Sequence, residues 1–184
     1  MAVDKATLNK LTRFATAFKD ARDRNANESD TVMFLVKFFE DVLGFDSLKG
    51  EISKELQIKD RYCDIAIKVN GVVQFLVECK AAGLKGLVDK HIEQAENYAS
   101  RQGICWVVLT SGIEWKLYHL TFAEGEGIAH DLAFECNFLD ELAADSEGLW
   151  DKLELLSRDC IESGDLEAYW KQKKLLRAPN RMSH

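Results

Sequence analysis

The sequence predicts an α/β domain, with a mixed central sheet flanked by helices and a helical appendage at the C-terminal end. Three observations point there. Apolar residues recur at helical spacing over 4–23 and again from Val32 to Leu43. Runs rich in β-branched and aromatic residues at 61–69 and 72–80 flank Asn70-Gly71, the strongest short hairpin signal. Helical spacing then returns before two further apolar strands, so the order reads α-β-β-β-α-β-β, which mixes parallel and antiparallel pairing.

The elements follow in order. Leu8, Leu11, Phe14, Ala15 and Phe18 make the inner stripe of a first helix, and Asn25, Ala26 and Asn27 break it. Asn27, with Asp30 three residues on, is the expected N-cap of a second helix, whose stripe is Val32, Leu35, Val36, Phe39, Val42 and Leu43 before a stop at Gly44. A strand is expected over 52–58. The strand over 72–80 is apolar on both faces and belongs at the centre of the sheet. Gly83 and Gly86 bracket the start of a third helix over about 85–101. Strands at 104–110 and 113–121 are joined by a Ser111-Gly112 turn, an edge strand is expected over 129–138, and two helices over 146–176. The first of these buries Leu149, Trp150, Leu153 and Leu156, the second Leu166, Tyr169 and Trp170. A core over 1–125 and an appendage over 126–184 are the expected division.

Composition bounds the function. With 184 residues, 47% apolar and 30% charged, the chain is one ordinary globular unit that needs no disulfide or structural metal. The longest uninterrupted apolar run, 104–109, is far short of a membrane span, and the charged N-terminal residues do not resemble a secretory leader. Cys63, Cys79, Cys105, Cys136 and Cys160 are too far apart for a zinc ribbon or redox pair, so free thiols in a reducing cytoplasm are expected. The net charge of −7 is uneven: residues 1–25 carry +3, 26–120 carry −3, 121–170 carry −12 and 171–184 carry +5. Screening acts over about 8 Å, so a nucleic-acid face remains compatible with the acidic total.

Charge at the ends of apolar strands is the feature that suggests chemistry. Asp64 sits inside YCDIAI, and Glu78 and Lys80 close FLVECK. A Glu-x-Lys pair alone is also what a strand emerging into solvent would present. Asp64 on the neighbouring strand shifts the balance, because two converging carboxylates make a hard oxygen site of the kind magnesium takes, with the Cys79 carbonyl as a third protein ligand. A lysine on the same face can orient a metal-polarised water or stabilise charge on a scissile phosphate, so the set reads as a phosphodiester-hydrolysing site. His91, Gln94, Ala95 and Tyr98 share one helix face, which could supply further polar groups or simply border the core.

Parity imposes a condition. A regular two-residue Asn70-Gly71 turn pairs Val69 with Val72 and so Asp64 with Val77, leaving Glu78 on the other face. The catalytic reading requires a bulge or an odd-length loop, such as a three-residue loop pairing Lys68 with Val72 and Asp64 with Leu76.

Taken in order, Glu28, Asp64, Glu78-Cys79-Lys80 and Gln94-x-x-x-Tyr98 resemble the PD-(D/E)XK nuclease superfamily. Within it the phrases VECKA, HIEQAENYA and LTSGIEWKLYHL look like the N-terminal nuclease domain of type I restriction endonuclease R subunits and their small standalone relatives. The likeness covers about residues 25–122. The residue before the aspartate is Cys63 where the superfamily motif has proline. The resemblance implies a restriction-endonuclease-like fold and a metal-dependent DNA endonuclease using Mg2+ (or Mn2+). It implies that Asp64 and Glu78 bind metal, Lys80 serves the attacking water, Gln94 positions the site or DNA backbone with Tyr98 behind it, and Glu28 holds a metal-bound water or Lys80. His91 is a supporting candidate beside them. No GxxxxGK[ST] phosphate loop is present, so a protein partner would supply a motor or sequence specificity. The rival expectation is a catalytically silent relative that binds nucleic acid or a protein partner.

Overall fold

The computed structural model describes residues 2–58 and 61–177, and the end of the basic tail lies outside the described residues. Two helices come first, α1 (Lys5–Asp23) and α2 (Glu28–Asp41). The Asp4 and Asn27 side chains cap them by accepting from the Thr7 and Asp30 N–H groups, and Gly44, with φ +82°, takes the left-handed step after α2. A six-stranded sheet follows in chain order: β1 (Ile52–Ile58), β2 (Arg61–Val69), β3 (Val72–Cys79), β4 (Trp106–Thr110), β5 (Glu114–Ala123) and β6 (Gly127–Asn137). All neighbours are antiparallel except β3 and β4, whose parallel pairing is made possible by a crossover through α3 (Glu93–Gln102). The fold is thus the mixed sheet with flanking helices that the sequence predicts, with β3 at its centre.

Each sheet face has its own core. One packs α1, α2 and the C-terminal helices over Ile65, Ile67, Phe75, Val77, Trp115 and Leu117. Phe38, outside the expected α2 stripe, is fully buried; its ring lies 5.2 Å from Phe14, 5.3 Å from Trp115 and 5.8 Å from Phe138, because α2 is covered by α1 as well as by the sheet. The other face packs Ile92, Ala95, Tyr98 and Ala99 over Ala66, Leu76, Val107 and Tyr118.

Three boundaries differ from expectation for local reasons. The third helix starts at Glu93 after a 3-10 turn at Asp89–Ile92, not at 85. Gly86 is left-handed at φ +77°, and the Glu114 carboxylate accepts from the Gly86 and Leu87 N–H groups at 3.2 and 3.1 Å, holding that stretch against β5 as a loop. A helix not expected from the sequence, α4 (Phe138–Ala144), follows β6 directly because the Asn137 side chain caps it. The expected pair of helices over 146–176 is α5 (Ser146–Leu153), a 3-10 turn, α6 (Arg158–Ser163) and α7 (Asp165–Arg177). Ser157 starts α6 as an extended N-cap, and Gly164, at φ +82°, ends it. No helix among the described residues is long and apolar enough to cross a membrane.

Candidate active site

The β2–β3 hairpin resolves the parity condition. Asn70 and Gly71 both have positive φ (52° and 77°), the signature of a two-residue type I′ turn, and Val69 pairs with Val72. The expected alternative of a three-residue loop is therefore incorrect. The shift comes two residues later: Lys68 pairs with Val73, but Ile67 pairs with Phe75, so Gln74 is an extra residue in a β-bulge. From there Ile65, not Asp64, faces Val77, and Ala66, not Asp64, faces Leu76.

The backbone at the end of β3 is held from both sides. The Asp64 carboxylate accepts from the Cys79 N–H at 2.7 Å, and the Thr110 carbonyl accepts from the Lys80 N–H at 2.9 Å. Glu78 is almost fully buried, at 6% exposure. Its Oε1 accepts from Lys80 Nζ at 2.7 Å, and Lys80 also reaches Glu28 Oε2 at 3.7 Å from the first turn of α2. Two carboxylates thus contact one ammonium, and the charge of a third, Asp64, also acts on it. Burial first, and the Asp64 charge second, push Glu78 up to about 7 despite Lys80. Burial alone would lower Lys80, but its hydrogen bond to Glu78 and the charges of Glu78, Glu28 and Asp64 outweigh it and hold the ammonium above its ordinary value. A half-buried cleft of about 210 Å³ opens beside Asp64, between Glu28, Ser29, Val32 and Met33 of α2 and Lys54 of β1.

The other candidates lie on α3 and the 3-10 turn before it. Tyr98 is buried under β2, where burial and neighbouring Cys63 raise its phenol. Gln94 is exposed at the start of α3 and, among the described residues, makes no hydrogen bond to Asp64, Glu78 or Lys80. His91 Nδ1 accepts from the Val88 N–H at 3.1 Å, capping the 3-10 turn. Among the described residues no three His, Cys, Asp or Glu side chains form a ready-made metal centre. All five cysteines are free. Burial raises every thiol, Cys63 and Cys136 to about 12, so none is a thiolate nucleophile. The reading of the sequence missed a second titratable group on the α3 face, Asp89, Glu96, Tyr118 and His130. Only the fold brings those separated positions together.

Strand-borne carboxylates beside a lysine, at the end of the central strand of a mixed sheet, define a nuclease-like α/β domain. The family of the type I restriction enzyme R protein N terminus (HSDR_N) matches residues 33–130, more than half of the chain, and the chain belongs to that family. The match includes Asp64, Glu78, Lys80, Gln94 and Tyr98, while Glu28 lies before it. No curated protein and no solved structure gives a significant match.

Proposed function

We propose that this protein is a metal-dependent DNA endonuclease that hydrolyses phosphodiester bonds in restriction or DNA processing. The observation that carries this reading is the meeting of three side chains at the end of β3, where the Asp64 carboxylate accepts from the Cys79 N–H and Lys80 donates to Glu78.

The donor set fits a hard divalent cation. A carboxylate pushed up to about 7, by burial first and a neighbouring carboxylate second, is a site where added positive charge is stabilising. Asp64, Glu78 and the Cys79 carbonyl would hold Mg2+ or Mn2+, which when bound would polarise the attacking water and the scissile phosphate. Lys80, tethered by Glu28, would orient that water and offset charge building on the phosphate. Its raised pKa makes it a charged donor rather than a base in the metal-free state, and engaging Glu78 elsewhere removes the anion that most favours this charge. Gln94, at the rim, would contact the DNA backbone, with Tyr98 fixing the helix beneath it.

Family membership supports DNA and R-subunit-like partners, a partner supplying motor or specificity among them. Lys54 borders the cleft beside Asp64, and Lys85 follows Lys80 in the β3–α3 loop; neither has an ion-pair partner among the described residues. The test is cleavage of linear, circular and single-stranded DNA with Mg2+ or Mn2+. Metal-dependent cutting by the wild type that disappears in Lys80→Ala supports the proposal.

One observation favours the silent-relative reading instead. The Lys80 ammonium sits 2.7 Å from the very carboxylate a metal would need. A protein of that kind would bind DNA or a protein partner without cutting under any of these conditions.

A further inference from the structure

The cluster on the α3 face is not used by the proposed chemistry. His130 on β6 pairs with Leu120 on β5, and its ring meets that of Tyr118 edge-on at 5.4 Å. Both imidazole nitrogens face carboxylates: Nδ1 lies 2.5 Å from Glu96 Oε1, and Nε2 lies 3.3 Å from Asp89 Oδ2. The Tyr118 hydroxyl donates to the other Asp89 oxygen at 2.7 Å. Lys116 and Glu135 of β5 and β6, 3.9 Å apart, also act on the cluster, on Asp89 and Tyr118 respectively.

A neutral imidazole has one N–H donor, so two facing carboxylates are both satisfied only by the imidazolium. Burial works against the charge, but Asp89 and Glu96 outweigh it and raise His130. Tyr118 first, then His130, hold Asp89 below its ordinary value against the effect of burial.

The positions of the two acids matter. Asp89 opens the 3-10 turn and Glu96 sits in the first turn of α3, so they bracket Gln94. The residues before them, from Gly83 to Val88, are loop. Fixing both acids to β6 fixes the rotation and axial position of the first turn of α3.

We infer that His130 is a positioning residue: bridged to Asp89 and Glu96, it clamps the start of α3 to the sheet edge and so sets Gln94 for catalysis. The catalytic part of this inference rests on the nuclease reading. Because the His130 pKa is raised, the clamp is complete below its unperturbed value and lost as pH rises through the folded one.

The test compares the wild type with His130→Gln, which keeps one hydrogen bond but cannot carry the charge. Amide hydrogen exchange over 89–98 in the metal-free protein is expected to be about tenfold faster in the variant at pH 6, and equal at a pH where His130 is neutral. In Mg2+-dependent cleavage the variant is expected to lose about tenfold in kcat at pH 6.5 with KM unchanged, and no further activity in a Gln94→Ala background. The wild-type to variant ratio should fall toward one as pH rises through the folded His130 value, a comparison in which the titration of Glu78 cancels. Glu96→Gln, which neutralises the other side of the pair, should reproduce this pattern. Unchanged exchange in both variants, or faster exchange with unchanged cleavage, overturns the inference. A wild type that cuts no DNA defeats the nuclease reading and with it the catalytic role of the clamp; the exchange result then decides separately whether the clamp exists.

Discussion

Glu78 is the residue whose environment says most about the site. Its folded pKa of about 7 lies above the ordinary carboxylate value of 4.5, so the group binds a proton more tightly folded than unfolded. That stabilisation is fully present below the unfolded value and is lost as pH rises through about 7. In metal-free protein Glu78→Gln should therefore gain stability over wild type at pH 8, by roughly 3 kcal/mol, and little at pH 4. Thermal melts of the two proteins across that range check it, and a gain that persists at low pH would show that the effect is not ionisation. The same residue shows what a sequence can convey. FLVECK marks Glu78 and Lys80 because charge interrupts an apolar run, but nothing in the sequence shows that Lys80 points back at Glu78, and the contact of Glu28 with Lys80 is one of two roles that only the family resemblance implies.

Among the elements, the β2–β3 hairpin and the β4–β5 turn carry opposite lessons. Asn70-Gly71 was legible as a type I′ turn because both residues tolerate positive φ. The parity argument required a departure from the regular ladder, but Gln74 carries no local signature of a bulge. The placement comes from the need to bury Ile65, Ile67, Phe75 and Val77 on one face. The late start of α3 was illegible for a similar reason: the Glu114 carboxylate that captures the Gly86 and Leu87 N–H groups comes from a strand 27 residues on. In the β4–β5 turn, Gly112 has φ +84°, and a Cβ there would stand 2.6 Å from the Phe18 ring. Gly112→Ala should cost about 2–4 kcal/mol through backbone strain and overpacking beneath α1. Urea unfolding measures this, and a loss under about 0.5 kcal/mol, the range of an ordinary surface substitution, would mean the turn is free to move away from Phe18.

For the whole molecule, the uneven charge decides how DNA could approach. Residues 121–170 carry −12, so a DNA backbone should avoid β6, α4–α6 and the start of α7 and lie toward α1, the cleft at Lys54, the loop bearing Lys85 or the basic end of α7. The affinity for a short duplex should fall with salt, and Lys54→Ala and Lys85→Ala should each flatten the log-log slope by about 0.9. Fluorescence anisotropy over a salt series tests this; slopes unchanged in both variants would place the DNA elsewhere. Metal should act on the same face. A cation that binds the folded site and not the unfolded chain stabilises by mass action, about 2.7 kcal/mol at a hundred times its Kd.

These consequences meet in one measurement, plasmid cleavage with and without Mg2+ beside thermal melts in the same buffers, on the wild type, Asp64→Ala and Lys80→Ala. The account predicts that the wild type cuts and is stabilised by Mg2+, that Asp64→Ala loses both, and that Lys80→Ala loses cutting but keeps the Mg2+-dependent rise in Tm, because lysine is not a ligand. Undiminished cutting by Lys80→Ala, or a wild type that neither cuts nor responds to Mg2+ or Mn2+, would contradict it.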